Sequence, residues 1–221
     1  HTKSLTDQEL ADVETLVNGC IDQKLPVYTK VVPLEQGMRI HGLRAVFGEK
    51  YPQQVRVVSV GRSVDELLTA PGNTAWRQYS VEFCGGTHLA NAGEAEHFAI
   101  TSEESVSKGI RRIVAVTGPL ARAAADQAEV VAALIKQAMK TAPEELPAAI
   151  AAIQKAIAAE VPLRTRRAAL GAIAELQAKR RAWEKTSGSA AGESVKIEQL
   201  QSMLDHSPVV AGVSLVVGRL D

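Results

Sequence analysis

Tyr79-Ser80-Val81-Glu82-Phe83-Cys84-Gly85-Gly86-Thr87-His88 decides how this chain is read. Residues 79–83 alternate aromatic or β-branched side chains with polar ones, which predicts a strand, and a glycine pair ends it just after Cys84. Two glycines permit a tight turn with backbone angles closed to other residues. Such a turn can aim the Cys84 thiolate and the His88 imidazole at one point, and both are good zinc ligands. Two ligands do not complete a zinc site, which takes three protein ligands plus water for catalysis or four for structure. On spacing alone the alternative stays open: a cysteine buried in a glycine turn beside a surface histidine. The other histidines, His1, His41, His97 and His206, form no His-x-x-x-His pair, and His41 and His97 read as surface residues. Cys20 falls on the apolar face of a predicted helix and reads as core.

Upstream of this stretch, Thr6-x-x-Glu9 is a capping box. Leu10, Val13, Leu16, Val17, Cys20 and Ile21 follow at helical spacing and predict a helix to about Lys24. Residues 27–32 read as a strand stopped by Pro33, and a short helix holds Met38 and Ile40. Gln54-Val55-Arg56-Val57-Val58-Ser59-Val60 is a strand ended by Gly61. Residues 64–68 make a helical turn, and Pro71-Gly72-Asn73 is a turn. Downstream, residues 98–100 and 111–117 read as strands. Strands and helices mix without regular alternation, so the expected fold class is α+β, with a mixed sheet.

Composition changes near Gly118: short β-branched runs precede it and alanine dominates after it. The expected divisions are residues 1–118, a helical hairpin or coiled-coil-like region over 119–186, and the start of a small globular domain over 193–221. Pro119, Pro143 and Pro162 each suit the first turn of a helix. The expected inward residues are Leu120, Ala124, Val131, Leu134, Ile135 and Ala138, then Leu146, Ile150, Ile153 and Ile157, then Leu163, Leu170, Ile173, Leu176 and Trp183. Narrow alanine-rich stripes suit close-packed antiparallel helices or a coiled coil, and hence self-association. Ser187-Gly188-Ser189-Ala190-Ala191-Gly192 reads as a flexible linker. A short amphipathic helix with Ile197, Leu200 and Leu204 follows, and residues 209–217 read as a strand without a partner.

The 221 residues carry no net charge and 23% charged side chains, which excludes a disordered chain. No apolar run reaches the ~18 residues of a transmembrane helix. Two cysteines make no disulfide framework, which fits a reducing compartment. Residues 119–192 hold 11 basic and 7 acidic side chains, against 12 and 14 in residues 1–118. That excess points to a polyanionic partner or to a solvated helix face. Arg164, Arg166, Arg167, Lys179, Arg180 and Arg181 carry it. The chain opens on His1 with no initiator Met, so a fragment or processed product is expected.

Val81-Glu82-Phe83-Cys84-Gly85-Gly86-Thr87-His88 resembles the second metal-binding motif of alanyl-tRNA synthetase editing domains, to which threonyl-tRNA synthetase editing domains and free-standing editing proteins are related. Three further stretches are similar to the alanyl family and occur in its order. They are Gly42-Leu43-Arg44-Ala45-Val46-Phe47-Gly48-Glu49-Lys50-Tyr51-Pro52, Val55-Arg56-Val57-Val58-Ser59-Val60-Gly61, and Ser107-Lys108-Gly109-Ile110-Arg111-Arg112-Ile113-Val114-Ala115-Val116-Thr117-Gly118. The helices after Pro119 match the family by arrangement only.

The resemblance implies a zinc editing site that hydrolyses mischarged Ser- or Gly-tRNA(Ala), with Cys84 and His88 as two ligands. Gly85 and Gly86 would allow backbone approach to substrate, and Thr87 would fix the turn. Glu82 would lie behind the ligands or be a solvated strand residue. Arg111 and Arg112 point to opposite strand faces, so one of them could meet the tRNA 3′ end and the other would be a solvated or ion-paired surface arginine. Lys108 and Gly109 could bind a phosphate. The family's His-x-x-x-His motif lies further upstream than the 83 residues that precede Cys84. The expectation is therefore a ligase fragment with weak or no zinc binding and deacylation. ATP and Mg would be used by parent domains outside it. The implied partner is tRNA(Ala), with no membrane, and the implied location is cytoplasmic, with a mitochondrial pool of the same parent also open. The alternatives are a free-standing editing hydrolase and a non-enzymatic helical dimerisation module.

Overall fold

In the computed structural model, which describes residues 3–46, 48–205, 209–210 and 213–214, Thr6 opens the first helix, α1 (Asp7–Asp22). The capping box forms in both directions: Glu9 N donates to Thr6 Oγ1 at 3.2 Å, and Thr6 N donates to the Glu9 carboxylate at 2.7 Å. Leu10 and Ile21 are buried as expected, but Val13 and Leu16 are exposed, Leu16 by 71%. Two polar residues explain the rotation. Asn18 exchanges hydrogen bonds with the backbone of Phe98, both at 2.9 Å, and Glu14 accepts from Ile100 N at 2.9 Å. A strand edge needs partners for its backbone groups. Glu14 and Asn18 supply them, and the Val13 side of the helix turns outward.

The chain divides into two compact units, residues 1–129 with 160–166, and residues 130–159 with 167–221. In the first unit, β1 (Val27–Pro33), β2 (Gln54–Val60) and β3 (Ser80–Phe83) form an antiparallel sheet with β2 central. Val57 faces Lys30 on one side and Phe83 on the other; Val58 faces Thr29 and Glu82. A parallel bridge adds Arg44 beside Glu82, with Arg44 N donating to Val81 O at 2.8 Å and Phe83 N donating to Arg44 O at 3.1 Å. Val55, Val57 and Val81 pack with Ile40, Leu67 and Trp76 in one buried cluster. The helix expected around Met38 is α2 (Leu34–Met38); Ile40 is buried beyond its end while Met38 is exposed. The predicted turn at 64–68 is α3 (Val64–Thr69), capped by the Ser63 side chain. Short 3-10 turns at Thr74–Gln78 and Ala92–Ala95 carried no helical periodicity.

A separate hairpin joins β4 (Phe98–Ser107) to β5 (Ile110–Thr117) through Lys108 and Gly109, the latter at φ +79°. Strand β4 runs well past the expected 98–100. Residues 102–107 are polar except Val106, and pairing with β5, not hydrophobic alternation, keeps them extended.

Helix α4 (Gly118–Ala138) is followed by α5 (Leu146–Ala156) and α6 (Leu163–Asp205). Leu146, Ile150, Ile153 and Ile157 are all buried, as are Val131, Ala138, Ile173 and Leu176. Leu120 and Leu170 are exposed, and Ala121, Ala124 and Ala169 are buried in their stead. Alanine allows close backbone approach, so the inward stripe here is the small one. The linker expected at residues 187–192 is helical and continuous with α6. Its two glycines cost about 1 kcal/mol each relative to alanine, and no proline reinforces them. The separate helix expected around Ile197 is the end of α6, with Ile197 and Leu200 exposed. Of the strand expected over 209–217, the described residues form two short strands, β6 (Val209–Val210) and β7 (Val213–Ser214), which pair antiparallel. His1, Phe47, His206 and Val217, and residues 215–221 of the expected C-terminal domain, lie outside the described residues. Both sheets and helices are present as expected of an α+β chain. Among the described residues no helix is long and apolar enough to cross a membrane.

Candidate metal centre

Strand β3 ends at Phe83, and Cys84 N continues its ladder by donating to Arg56 O at 3.2 Å. Side chains two apart on a strand share a face, so Glu82 and Cys84 project together. The chain then returns through Gly85 and Gly86 and brings His88 back. A Glu82 carboxylate oxygen, Cys84 Sγ and a His88 ring nitrogen all lie within 4.8 Å of one another. Glu82 and Cys84 are half-buried and His88 is exposed. The sequence placed Glu82 behind the ligands or in solvent; the fold puts it among the donor atoms. His41 and His97 are not part of this group.

Arg56 fixes the turn. Its Nε donates to Cys84 O at 2.9 Å and its Nη2 to Gly86 O. The residue is legible as the one charge inside the apolar run of β2, but its bonds depend on how the loop returns. Neither glycine of the motif adopts a positive φ, which corrects the expected reason for them. A Cβ at Gly85 would meet nothing within 4 Å, and one at Gly86 would meet only Cys84 Sγ, at 3.7 Å. These glycines leave an open surface beside the donors. Thr87 is exposed, and among the described residues its hydroxyl makes no hydrogen bond, so it does not tie the turn.

Arg111 and Arg112 lie on β5, in the second sheet, and face opposite ways as alternation requires. Arg111 Nε bonds Glu103 Oε1 at 2.6 Å, and the Glu103 side chain is fully buried. Ser4 Oγ donates to the same carboxylate at 2.6 Å, and Leu5 N at 3.1 Å. Burial pushes the Glu103 carboxyl up, but Ser4, Arg111 and the Leu5 N–H together outweigh it and hold the group at about 2. Arg112 instead makes an exposed pair with Glu104 at 3.0 Å. Lys108 stands exposed at the hairpin tip.

A family profile described as the threonyl and alanyl tRNA synthetase second additional domain matches residues 55–114, the stretch that holds β2, β3, the turn and most of the hairpin. The mitochondrial alanine–tRNA ligase of Saccharomyces cerevisiae is 49% identical over 140 residues, which are 63% of this chain and 14% of that protein. The cytoplasmic alanine–tRNA ligase of Dictyostelium discoideum is 47% identical over 144 residues, 65% of this chain and 15% of that protein. That of Drosophila melanogaster is 46% identical over 126 residues, 57% of this chain and 13% of that protein. Over these residues the chain is similar to alanyl-tRNA synthetases. It spans about a seventh of the length of these relatives. Arg56, through its bonds to the turn, and Glu82, through its proximity to Cys84 and His88, are the residues here that sequence reasoning undervalued. Parity with Cys84 on β3 was the available signal for Glu82.

Proposed function

We propose that these residues serve the editing site of an alanine–tRNA ligase, which hydrolyses Ser- or Gly-tRNA(Ala) with the help of a zinc ion. The observation that carries the reading is the convergence of Cys84 Sγ and a His88 nitrogen at the end of β3. The donor set fits zinc, which takes thiolate and imidazole, better than magnesium or calcium, which take oxygen. Cys84 and His88 would hold the ion, which supplies electrophilic polarisation when bound. Arg56 holds the carbonyls of Cys84 and Gly86, so the ligands start from a fixed backbone. Gly85 and Gly86 leave room for the aminoacyl end of a tRNA to lie against the main chain. Arg112 and Lys108, on the exposed hairpin, would meet its phosphates, whereas Arg111 orders the hairpin through Glu103. ATP- and Mg-dependent attachment of alanine would belong to other parts of the ligase. A cytoplasmic location, with a mitochondrial pool of the same ligase also open, belongs to this reading, and relatives named for each compartment support it.

The test is the complete ligase carrying this sequence, with and without Cys84→Ala. The variant is expected to charge alanine at the normal rate and to accumulate Ser-tRNA(Ala). Deacylation at the wild-type rate by Cys84→Ala would remove the cysteine from the reaction.

A further inference from the structure

We propose that Arg39, Arg44 and Arg77 form a phosphate-binding patch that guides the 3′ strand of a tRNA to the Cys84–His88 turn. The inference rests on the reading of that turn as part of an editing site and adds the surface by which the RNA arrives. Gly42 gathers the three residues. At φ +82° it brings the chain against the 3-10 turn Thr74–Gln78, where a Cβ on it would stand 3.0 Å from Arg77 Cα. Arg44 lies two residues beyond Gly42 and Arg39 three before it, so chain length alone keeps their Cα atoms within about 7 and about 11 Å of Gly42. All three arginines are exposed. Arg44 also ties the patch to the site. Its bridge to Glu82 is parallel, and residues paired across a bridge share a face of the sheet. Glu82 and Cys84 share that face, so Arg44 stands on the Cys84 side of the sheet edge.

Other arginines of the same unit are committed within the fold. Arg62, Arg111, Arg112 and Arg122 are each in an ion pair, and Arg56 bonds main-chain carbonyls. Among the described residues, no hydrogen bond or ion pair engages the side chain of Arg39, Arg44 or Arg77. That holds although Glu82 lies across the bridge from Arg44 and Glu49 follows five residues after it. Cations this close lie within or near a Debye length, about 8–10 Å, so salt only partly screens their repulsion. A fold that gathers three of them without a carboxylate partner leaves that repulsion for an external anion to relieve. The planar guanidinium fork matches phosphate oxygens, and an RNA strand presents phosphates in series. The aminoacyl ester sits at the 3′ terminus of that strand, so a patch on the Cys84 side of the sheet edge holds the segment next to the reacting bond.

The test is deacylation of Ser-tRNA(Ala) by the complete ligase carrying this sequence, at about 50 and about 200 mM salt. Each phosphate contact on a single strand adds about 0.7 to the slope of log affinity against log salt, so over this range one contact amounts to about threefold and three to roughly twentyfold. From low to high salt, KM of the wild type should rise roughly twentyfold more than KM of the triple variant Arg39→Gln, Arg44→Gln, Arg77→Gln, and about threefold more than KM of Arg44→Gln alone. The kcat should be unchanged in both, because the patch holds substrate and transition state alike. The triple variant with Lys at the same positions keeps the charges and should keep the salt response, which a role in packing the loop would not predict. Equal salt responses in wild type and the Gln variant overturn the patch, and so does loss of the response in the Lys variant. Cys84→Ala is measured alongside. Deacylation at the wild-type rate by Cys84→Ala overturns the editing reading and the patch with it. Its loss, together with an unaltered salt response in the Gln variant, overturns the patch alone.

Discussion

Lowering the pH should unlock the β4–β5 hairpin through one group, Glu103. Its carboxylate takes Arg111 Nε at 2.6 Å, Ser4 Oγ at 2.6 Å and Leu5 N at 3.1 Å, with no exposure of the side chain. The group sits at about 2 against the ordinary 4.5. A folded-state value below the unfolded one means that the stabilisation is fully present above about pH 4.5 and is lost as pH falls toward 2. At about 1.4 kcal/mol per pH unit, the shift amounts to something on the order of 3 kcal/mol. For a domain of ordinary stability, about 5–15 kcal/mol, that is a large share. The assay is urea unfolding followed by Trp76, which is buried in the first unit, in a Trp183→Phe background so that the second unit is silent. Wild type and Glu103→Gln are compared from pH 6 to pH 2. The advantage of wild type over the variant should shrink by roughly 3 kcal/mol between pH 6 and pH 2, most of it below pH 4. An advantage that stays flat from pH 5 to pH 2 would refute the account of Glu103 as a buried, fully engaged anion.

Two further outcomes follow from the site and its supports. Arg56→Ala removes both bonds to the turn that carries the donors, at Cys84 O and Gly86 O. It should cost on the order of 1–3 kcal/mol and speed amide exchange at residues 85–88, read by hydrogen exchange with mass spectrometry; unchanged exchange there would mean that the turn holds itself. Gly42 has φ +82°, and a Cβ there would stand 3.0 Å from Arg77 Cα, so Gly42→Ala should lose on the order of 1–3 kcal/mol by thermal melting. Gly85→Ala, with open space and no positive φ, should melt within about 0.5 kcal/mol of wild type.

How much of this was legible depended on where each residue's partners lie in the chain. The capping box at Thr6 and the strand over 54–60 are local: the first is a three-residue exchange of hydrogen bonds, and the second is a β-branched run that forms β2 with the expected ends. The helical faces were harder. A leucine and the alanine beside it point in different directions, and periodicity alone cannot say which direction meets the core. Leu120 and Leu170 are exposed beside buried Ala121 and Ala169. On α1 the deciding partners are the backbone groups of Phe98 and Ile100, some eighty residues away, so Glu14 and Asn18 set the inward face while Leu16 stays out. The candidate metal centre divides the same way. Cys84 and His88 were found because a glycine turn between them is a local feature. The share of a face by Glu82 and Cys84 was equally local, but its value depended on the absence of a competing partner. Arg44 is bridged to Glu82 through the backbone and Arg56 bonds the Cys84 and Gly86 carbonyls, and among the described residues neither forms an ion pair with Glu82. Arg111 is the converse. Its sequence setting left contact with tRNA and an ion pair within the chain both open, and the buried Glu103, eight residues back across the hairpin, supplies the ion pair. An ionisable side chain is therefore available to a metal or a substrate only when the fold leaves it unpaired, and that condition, more than residue type or spacing, separates Glu82 from Glu103.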